Sequence, residues 1–539
     1  MKIIKRHIKS IYWILVIGAL IFAGGCKKWV DVNYNPQELT GSSATPDVVL
    51  AEAMLGQTSN VGSDGIFNSW MGYYVYPFTQ AADISVGYNL TTSNSGDVPK
   101  GSAIRNFKFI EQKALAMGQT FYAGIAKIMK SKISAEEVDK YNNVPYREVG
   151  SPEVYPFPKY DDGKFIYEDV IRVIDTAMTL IKGADVNKNT RINSVDIMFH
   201  ADKTKWMKFA NTLKLRLLVH QANRTDRTAY IAQQIANITA EGSGFLLSGE
   251  NGALNPGFSA ERPNPDFLFA GFYQGNLPSF FREGFTANLV AMNWLKINND
   301  PRLGFFYTLP QLPLPPGAQE PVAQLSPQQY RGNLFGLELN TLTYPYQGGG
   351  YVSYIGGTTG YTPVTSSSFG ILKGYNMDSY LMTSVESMFL QAEAVYRGWI
   401  AGNAKQAYLN AVRESFRWLN VGLDTNNPAL SDAVFNNWYA NEAANGNTSV
   451  SWDHTPDKYK LLMFQKYLAM NGISGLETYT DYRRNGAYPA IPLSVHSSRT
   501  HNSIPFRFPY NAYEYKVNAI NVNAQGPIDI FTSKIWWMP

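Results

Sequence analysis

The chain has 539 residues, 45% hydrophobic and 17% charged, which is too apolar for a disordered protein and enough for about three to five domains or one large body. Its formal charge of +4 resides in Lys2, Lys5, Arg6 and Lys9, and from residue 26 onward 43 basic residues face 43 acidic ones. That balance argues against a nucleic-acid binder, which needs a net basic face. Tyr, Phe and Trp make up 14% of the chain and accompany 44 glycines, a composition for structured loops with aromatic surfaces.

The basic start is followed by an uncharged, mostly bulky apolar run from Ile11 to Ala23. It is shorter than the roughly 20 residues of a membrane span and reads as a secretion signal. Cys26, the single cysteine, follows Ala23-Gly24-Gly25. The segment resembles a bacterial lipobox, with Ala23 where leucine is usual. The expected organisation is a signal over 1–25, lipidation at Cys26 with insertion of its acyl chains into a bilayer, and an extended leader over 26–46. A single body would occupy 47–539, since no later run of about 18 apolar residues follows. Each acyl methylene buried in lipid adds about 0.8 kcal/mol to such an anchor.

Within the body, helical spacing of apolar residues predicts a first helix over 47–55 and a long one over 110–128. Another runs from a cap at Asp161-Asp162 to Ile181. A helical pair follows over 205–222 and 228–239, the first with Trp206, Phe209, Leu213 and Leu217 inward and Lys208 and Lys214 pointing away. Residues 62–98 read as mostly loop. Pro and Gly break up 242–374, leaving a helical piece around 280–297 in an irregular but packed region. Regular helix returns over 382–396 and 404–418, a close pair joined by a short turn, and again over 458–470. Short strands are expected around 330–365 and in the C-terminal region. The scaffold is thus expected over 47–240 and 375–475, with irregular regions about 62–100, 242–374 and 475–539.

Catalytic equipment is sparse. None of the six histidines sits in a zinc spacing, and neither a phosphate-binding Gly-Lys-Ser/Thr loop nor a Gly-x-Ser-x-Gly elbow is present. No EF-hand loop is formed by the acidic positions, so no cofactor is expected, and a structural Ca²⁺ stays open. Glu386 and Glu393, in apolar helical surroundings, are expected to bond to a neighbouring element, and Arg483-Arg484 to fix a loop. The positive feature is aromatic. Trp70, Tyr73 and Tyr74, then Phe272 and Tyr273, then Tyr346, Tyr351 and Tyr354 lie in Gly-, Ser- and Thr-rich stretches and offer flat apolar faces with polar handles. These eight are the candidate ligand-binding residues, suited to a sugar ring or a peptide.

Several ordered segments resemble the SusD/RagB lipoproteins of Bacteroidota, in their SusD-like branch. They are Cys26-Lys27-Lys28-Trp29 onward to Pro36, Val144-Pro145-Tyr146, and Lys205-Trp206-Met207-Lys208-Phe209-Ala210-Asn211 continuing to Arg216-Leu217. Asp300-Pro301-Arg302-Leu303, Ala392-Glu393-Ala394, Gln465-Lys466-Tyr467, Arg483-Arg484-Asn485-Gly486 and Arg507-Phe508-Pro509-Tyr510 follow. Asn142-Asn143, Ala487 and Phe506 depart from the family pattern. The resemblance implies a mainly α fold, a tetratricopeptide-like helix-pair superhelix with a loop-rich ligand-binding subdomain and a few short strands. It further implies a non-catalytic lid on the outer membrane, facing the cell exterior. That lid would capture oligosaccharides, or in some systems peptides, for a SusC-like TonB-dependent barrel. Two other readings of the residues stay open: a surface-anchored glycan hydrolase, and a structural subunit of the transporter complex without a ligand of its own.

Overall fold

Short polar side chains at the helix entrances do much of the local work. Asp162, Asp202, Asn288, Thr383, Asn403 and Asp457 each accept a hydrogen bond from a first-turn backbone N–H of the helix that follows. The computed structural model describes residues 44–58, 65–75, 86–94, 101–259, 273–274, 277–278, 286–310, 312–317, 323–327, 329–337, 351–357, 369–374, 376–424 and 426–539. Cys26 and the preceding signal lie outside the described residues, and residues 46–539 cluster as one unit.

In chain order the elements begin with α1 (Pro46–Leu55), α2 (Gly65–Trp70), β1 (Tyr74–Val75), α3 (Gly101–Ala116), α4 (Thr120–Tyr141), β2 (Val144–Pro145) and β3 (Tyr160–Asp161). Next come α5 (Gly163–Lys182), α6 (Ile192–Val195), α7 (Lys203–His220), α8 (Thr228–Glu241) and β4 (Gly252–Leu254). The middle of the chain holds β5 (Tyr273–Gln274), β6 (Leu277–Pro278), β7 (Thr286–Ala287), α9 (Leu289–Ile297), α10 (Leu303–Phe306) and β8 (Ser379–Met382). The last third is α11 (Ser384–Tyr396), α12 (Ala404–Leu419), α13 (Pro428–Ala444), α14 (Lys458–Ala469), α15 (Gly475–Arg484), α16 (Ala512–Val517) and α17 (Ala519–Asn523). The fold is mainly α. The four sheets among the described residues are two-stranded and antiparallel, pairing β1 with β7, β2 with β3, β4 with β8 and β5 with β6.

Four expectations need correction. The helix over 110–128 is two helices, because Gly118 takes a left-handed φ of +69° between α3 and α4 and ends the first. Lys214 does not point to solvent: its ammonium is buried and pairs with Asp175 of α5 at 2.6 Å. The C-terminal region holds α15, which is polar in sequence yet buried at every position from Gly475 to Arg484. Strands near 330–365 reduce, among the described residues, to isolated bridges at Asn333, Tyr354 and Ile355.

Helix pairs set the frame. α4 packs on α3 and α5, and α11 on α12. The α4–α5 contact is close at Gly124, where an added Cβ would lie 2.4 Å from Ile181 Cγ1 and 2.9 Å from the Ala177 carbonyl oxygen. Gly124→Ala gains about 1 kcal/mol of helix propensity, but overpacking costs typically about 1–3 kcal/mol. A backbone oxygen cannot move aside without shifting α5, so the packing cost is expected to win, with net destabilisation of about 1–2 kcal/mol in a urea titration. A neutral or stabilising result would mean that the two helices are not held at this spacing.

Candidate ligand-binding site

The scaffold beneath the site is held by buried charge. Arg216 of α7 bonds to Glu386 of α11 at 2.5 Å, and His220, one turn on, meets Glu477 of α15 at 2.8 Å. Glu477 also receives Lys466 of α14 at 3.1 Å, and Lys466 reaches Asp481 at 2.7 Å. Arg484 clamps Glu393 through two nitrogens, at 2.7 and 2.8 Å, while Arg397 adds a third contact to that carboxylate at 2.8 Å. Arg483 donates instead to the backbone carbonyls of Asp139 and Phe506. Arg302, fully buried, holds Asp300 and reaches Ser415 of α12 and Gln465 of α14. Burial alone would raise the pKa of Glu393, but Arg484 and then Arg397 outweigh it and bring the carboxyl down to about 2. Glu386, Glu393 and the Arg483-Arg484 pair therefore bond as expected from their setting, to neighbouring helices and loops.

Against this frame stands a platform of short extended segments. Val75 pairs with Thr286 and Tyr74 with Ala287; Thr286 in turn bridges Tyr354. The Ala287 N–H donates to the Ser353 carbonyl at 2.9 Å, and the Asn333 N–H to the Ala287 carbonyl at 2.9 Å. Thr308 N–H donates to the Tyr354 carbonyl at 2.8 Å and Ile371 N–H to the Phe305 carbonyl at 3.0 Å. Gly357 and Gly370, both at φ +89°, let two segments lie on Phe305: a Cβ at either would come within 2.7 or 2.5 Å of its carbonyl oxygen. Arg331 ties Tyr351 to the same cluster, donating to its carbonyl at 2.6 Å and to that of Leu312 at 2.9 Å. Chain positions 75, 286, 351, 357 and 370, far apart in sequence, thus meet on one platform.

The predicted aromatic residues divide sharply on it. Trp70, Tyr73, Tyr74 and Tyr354 are only 0–3% exposed, so as ligand-facing rings they need correction. Trp70 makes edge contacts with Tyr88, Tyr479 and Phe508, and Tyr73 lies over Tyr467 at 4.8 Å while its hydroxyl donates to the Tyr467 carbonyl. The Tyr74 hydroxyl packs on Gly472, where a Cβ would fall 2.0 Å from it. Tyr73 and Tyr74 face the helical core because α14, α15 and the turn between them, through Tyr467, Thr478 and Gly472, pack against them. Tyr351 is half-buried at the platform's edge. Phe272 and Tyr346 lie outside the described residues, as does the side chain of Tyr273 on β5. The exposed aromatic side chains among the described residues, Tyr155, Phe157, Phe165, Tyr396 and Tyr513, are not among the eight candidates. Asn521 donates to the Phe157 carbonyl at 3.0 Å, which places Phe157 beside α17.

Residues 36–511 match a family model described as SusD-like, starch-binding and associating with the outer membrane. The chain belongs to the SusD-like family. Solved structures agree: a SusD homologue of Bacteroides fragilis superposes with a TM-score of 0.70 at 19% identity, covering 92% of this chain and 99% of that one. A SusD/RagB family protein of Bacteroides thetaiotaomicron gives 0.67 at 20% identity, over 92% of this chain and 99% of that one. A protein named as chitin-binding gives 0.67 at 21% identity, over 92% and 100%. At these identities the likeness establishes the fold. No curated protein matches the sequence. In this SusD-like chain the segments that resemble the family supply Arg216, Asp300, Arg302, Glu393, Lys466 and Arg484 to the buried ionic frame, while His220, Glu386, Glu477 and Asp481 lie outside them. Among the described residues no helix is long and apolar enough to cross a membrane.

The frame carries a pH signature. Burial opposes charge on His220, but Glu477 and then Asp139 outweigh it and lift its pKa from 6.5 to about 9. Lys466 holds the other oxygen of Glu477, Arg216 lies 3.8 Å from the one His220 meets, and Tyr167 bridges the imidazole to Asp139. Because the folded pKa is raised, this stabilisation is complete below about pH 6.5 and is lost as pH rises through 9. Urea stability is expected to fall by roughly 3 kcal/mol across that window and to fall less in His220→Gln. An unchanged slope in the variant would place the titrating group elsewhere.

Proposed function

We propose that this SusD-like protein captures glycans at the cell surface and hands them to a SusC-like TonB-dependent barrel, acting as a hinged lid tethered through acylated Cys26. The observation that carries the reading is the platform. The helical body holds the distant chain positions 75, 286, 351, 357 and 370 together, with the half-buried ring of Tyr351 at the edge. Ligand sites built in this way combine apolar faces with a few fixed polar groups. The starch-binding description of the family and the chitin-binding name of one structural neighbour support a glycan as cargo. The family's association with the outer membrane supports the location.

The state of the acids supports binding without covalent chemistry. Six of the buried carboxylates among the described residues are taken up by partners within the protein. Glu386, Glu393, Glu477, Asp300 and Asp481 meet Arg, Lys or His, and Glu414 accepts from Ser248, Ser384 and the Gly249 N–H. Glycoside hydrolysis needs two carboxyls flanking the scissile bond, and these six are buried and turned to partners within the protein.

Calorimetry of the mature protein with maltoheptaose and chitohexaose tests the reading. Binding of at least one sugar is expected, with no shortening of the chain by chromatography. Tyr351→Ala should weaken it about tenfold, the equivalent of about 1.4 kcal/mol, whereas Tyr73→Phe should change stability and leave affinity alone. Release of shortened sugars, or binding unaffected by Tyr351→Ala, would overturn it. A detergent pull-down from the native membrane that brings no barrel would remove the delivery step.

A further inference from the structure

A second concave surface lies apart from the platform, between α13 and the turn that follows α9. It encloses about 480 Å³ and is lined by Asn299, Pro301, Val434, Asn437, Asn441 and Asn445, among others. That volume falls within the range of roughly 300–1,000 Å³ typical of small-molecule sites. The charged cavity between α4, α7 and α15, at about 60 Å³, has room for a few waters only.

The floor of this groove is fixed in advance. Asn299 is held at a left-handed φ of +46° and donates to Glu442 Oε1 at 3.0 Å. Asn447 donates to Glu442 Oε2 at 2.6 Å and to Asn298 Oδ1 at 3.0 Å, and Trp438 Nε1 donates to the Asn298 carbonyl at 2.9 Å. The Glu442 carboxylate, 4% exposed, is thus occupied by amide donors from within the protein. The wall is the opposite. Asn437, Asn441 and Asn445 recur every fourth residue on one face of α13 and its C-cap, about 6 Å apart along the axis, and all three are exposed. Each carboxamide presents a donor pair and an acceptor side by side. The lining has no Lys, Arg or exposed acid, and Pro301 and Val434 supply apolar surface.

We propose that this groove is an accessory subsite for a neutral oligosaccharide, gripped through its hydroxyls by the carboxamide ladder while its C–H faces rest on Pro301 and Val434. Vicinal hydroxyls are donors and acceptors in adjacent pairs, which is the pattern the ladder offers. Phosphorylated or acidic ligands find no cation here. The subsite goes beyond the platform reading and can fail independently of it.

Hydrogen exchange by mass spectrometry on the mature lipoprotein in detergent, with maltoheptaose, chitohexaose and a neutral Gly-Ser peptide of similar length as probes, tests the inference. A sugar is expected to protect segments 297–301 and 434–445. The exposed double variant Asn437→Ala/Asn441→Ala, which raises helix propensity, should lose that protection and bind at least tenfold more weakly there; Tyr351→Ala should retain it. Protection confined to 351–357 would overturn the subsite and leave the platform reading standing. Protection of the groove alone would do the reverse, and no protection anywhere would remove both. Equal protection by the peptide, or protection that survives in the double variant, would overturn the carbohydrate assignment.

Discussion

A charge removed from water must find its partner inside, and that requirement organises this molecule. Arg216, His220, Lys466 and Arg484 come from α7, α14 and α15, and their carboxylates Glu386, Glu393, Glu477 and Asp481 from α11 and α15. Leaving one of these charges unpaired costs on the order of 3–5 kcal/mol, a large fraction of the stability of an ordinary domain. An apolar replacement of the whole network could match its stability, so its contribution is geometric. Apolar side chains would tolerate a helix sliding by a turn; a bidentate Arg484–Glu393 contact does not.

The fixed frame matters because the platform has almost no regular structure of its own. Its strands are two residues long, and an isolated pair of that length is unstable in water. Segments 286–288, 305–308, 331–333 and 353–356 persist because each donates to or accepts from the next and because the rings beneath them are anchored in the helices. Tyr307 donates to the Tyr73 carbonyl at 3.2 Å and receives Asn471 at 2.9 Å. Tyr467 donates to the Met71 carbonyl. The buried tyrosines therefore support the platform from behind.

This explains which parts were legible in the sequence. Amphipathic helices such as α5 and α12 announce themselves by apolar spacing and a capping Asp or Asn, and their observed bounds lie within two residues of those expected. α15 does not, because Gly-Leu-Glu-Thr-Tyr-Thr-Asp-Tyr-Arg-Arg is polar and its burial depends on charges supplied by α7, α11 and α14. The aromatic set failed for a related reason. Composition shows that Tyr73, Tyr74 and Tyr354 have a polar handle but not whether its partner is a ligand or a backbone carbonyl. The ladder on α13 left a readable trace, three asparagines at intervals of four, but exposed amides also suit an ordinary solvated face. Only the turn at Asn299 and Pro301 converts that face into a groove.

On the proposed function, two modest sites would suit a protein that must let go. With association near 10⁶ M⁻¹s⁻¹, a micromolar complex dissociates in about a second, whereas a nanomolar one persists for roughly a quarter of an hour. A single very tight platform would hold its cargo against transfer. An oligosaccharide long enough to touch both surfaces gains avidity through an effective concentration on the order of millimolar, while each contact alone stays weak enough to break. Under that proposal release would proceed one contact at a time, with the groove holding the chain as the platform yields its end. Shape is set by the buried ions; in the proposed groove, reversibility would follow from its uncharged lining, because carboxamides would hold a sugar without the strong electrostatic attraction that makes a ligand slow to leave.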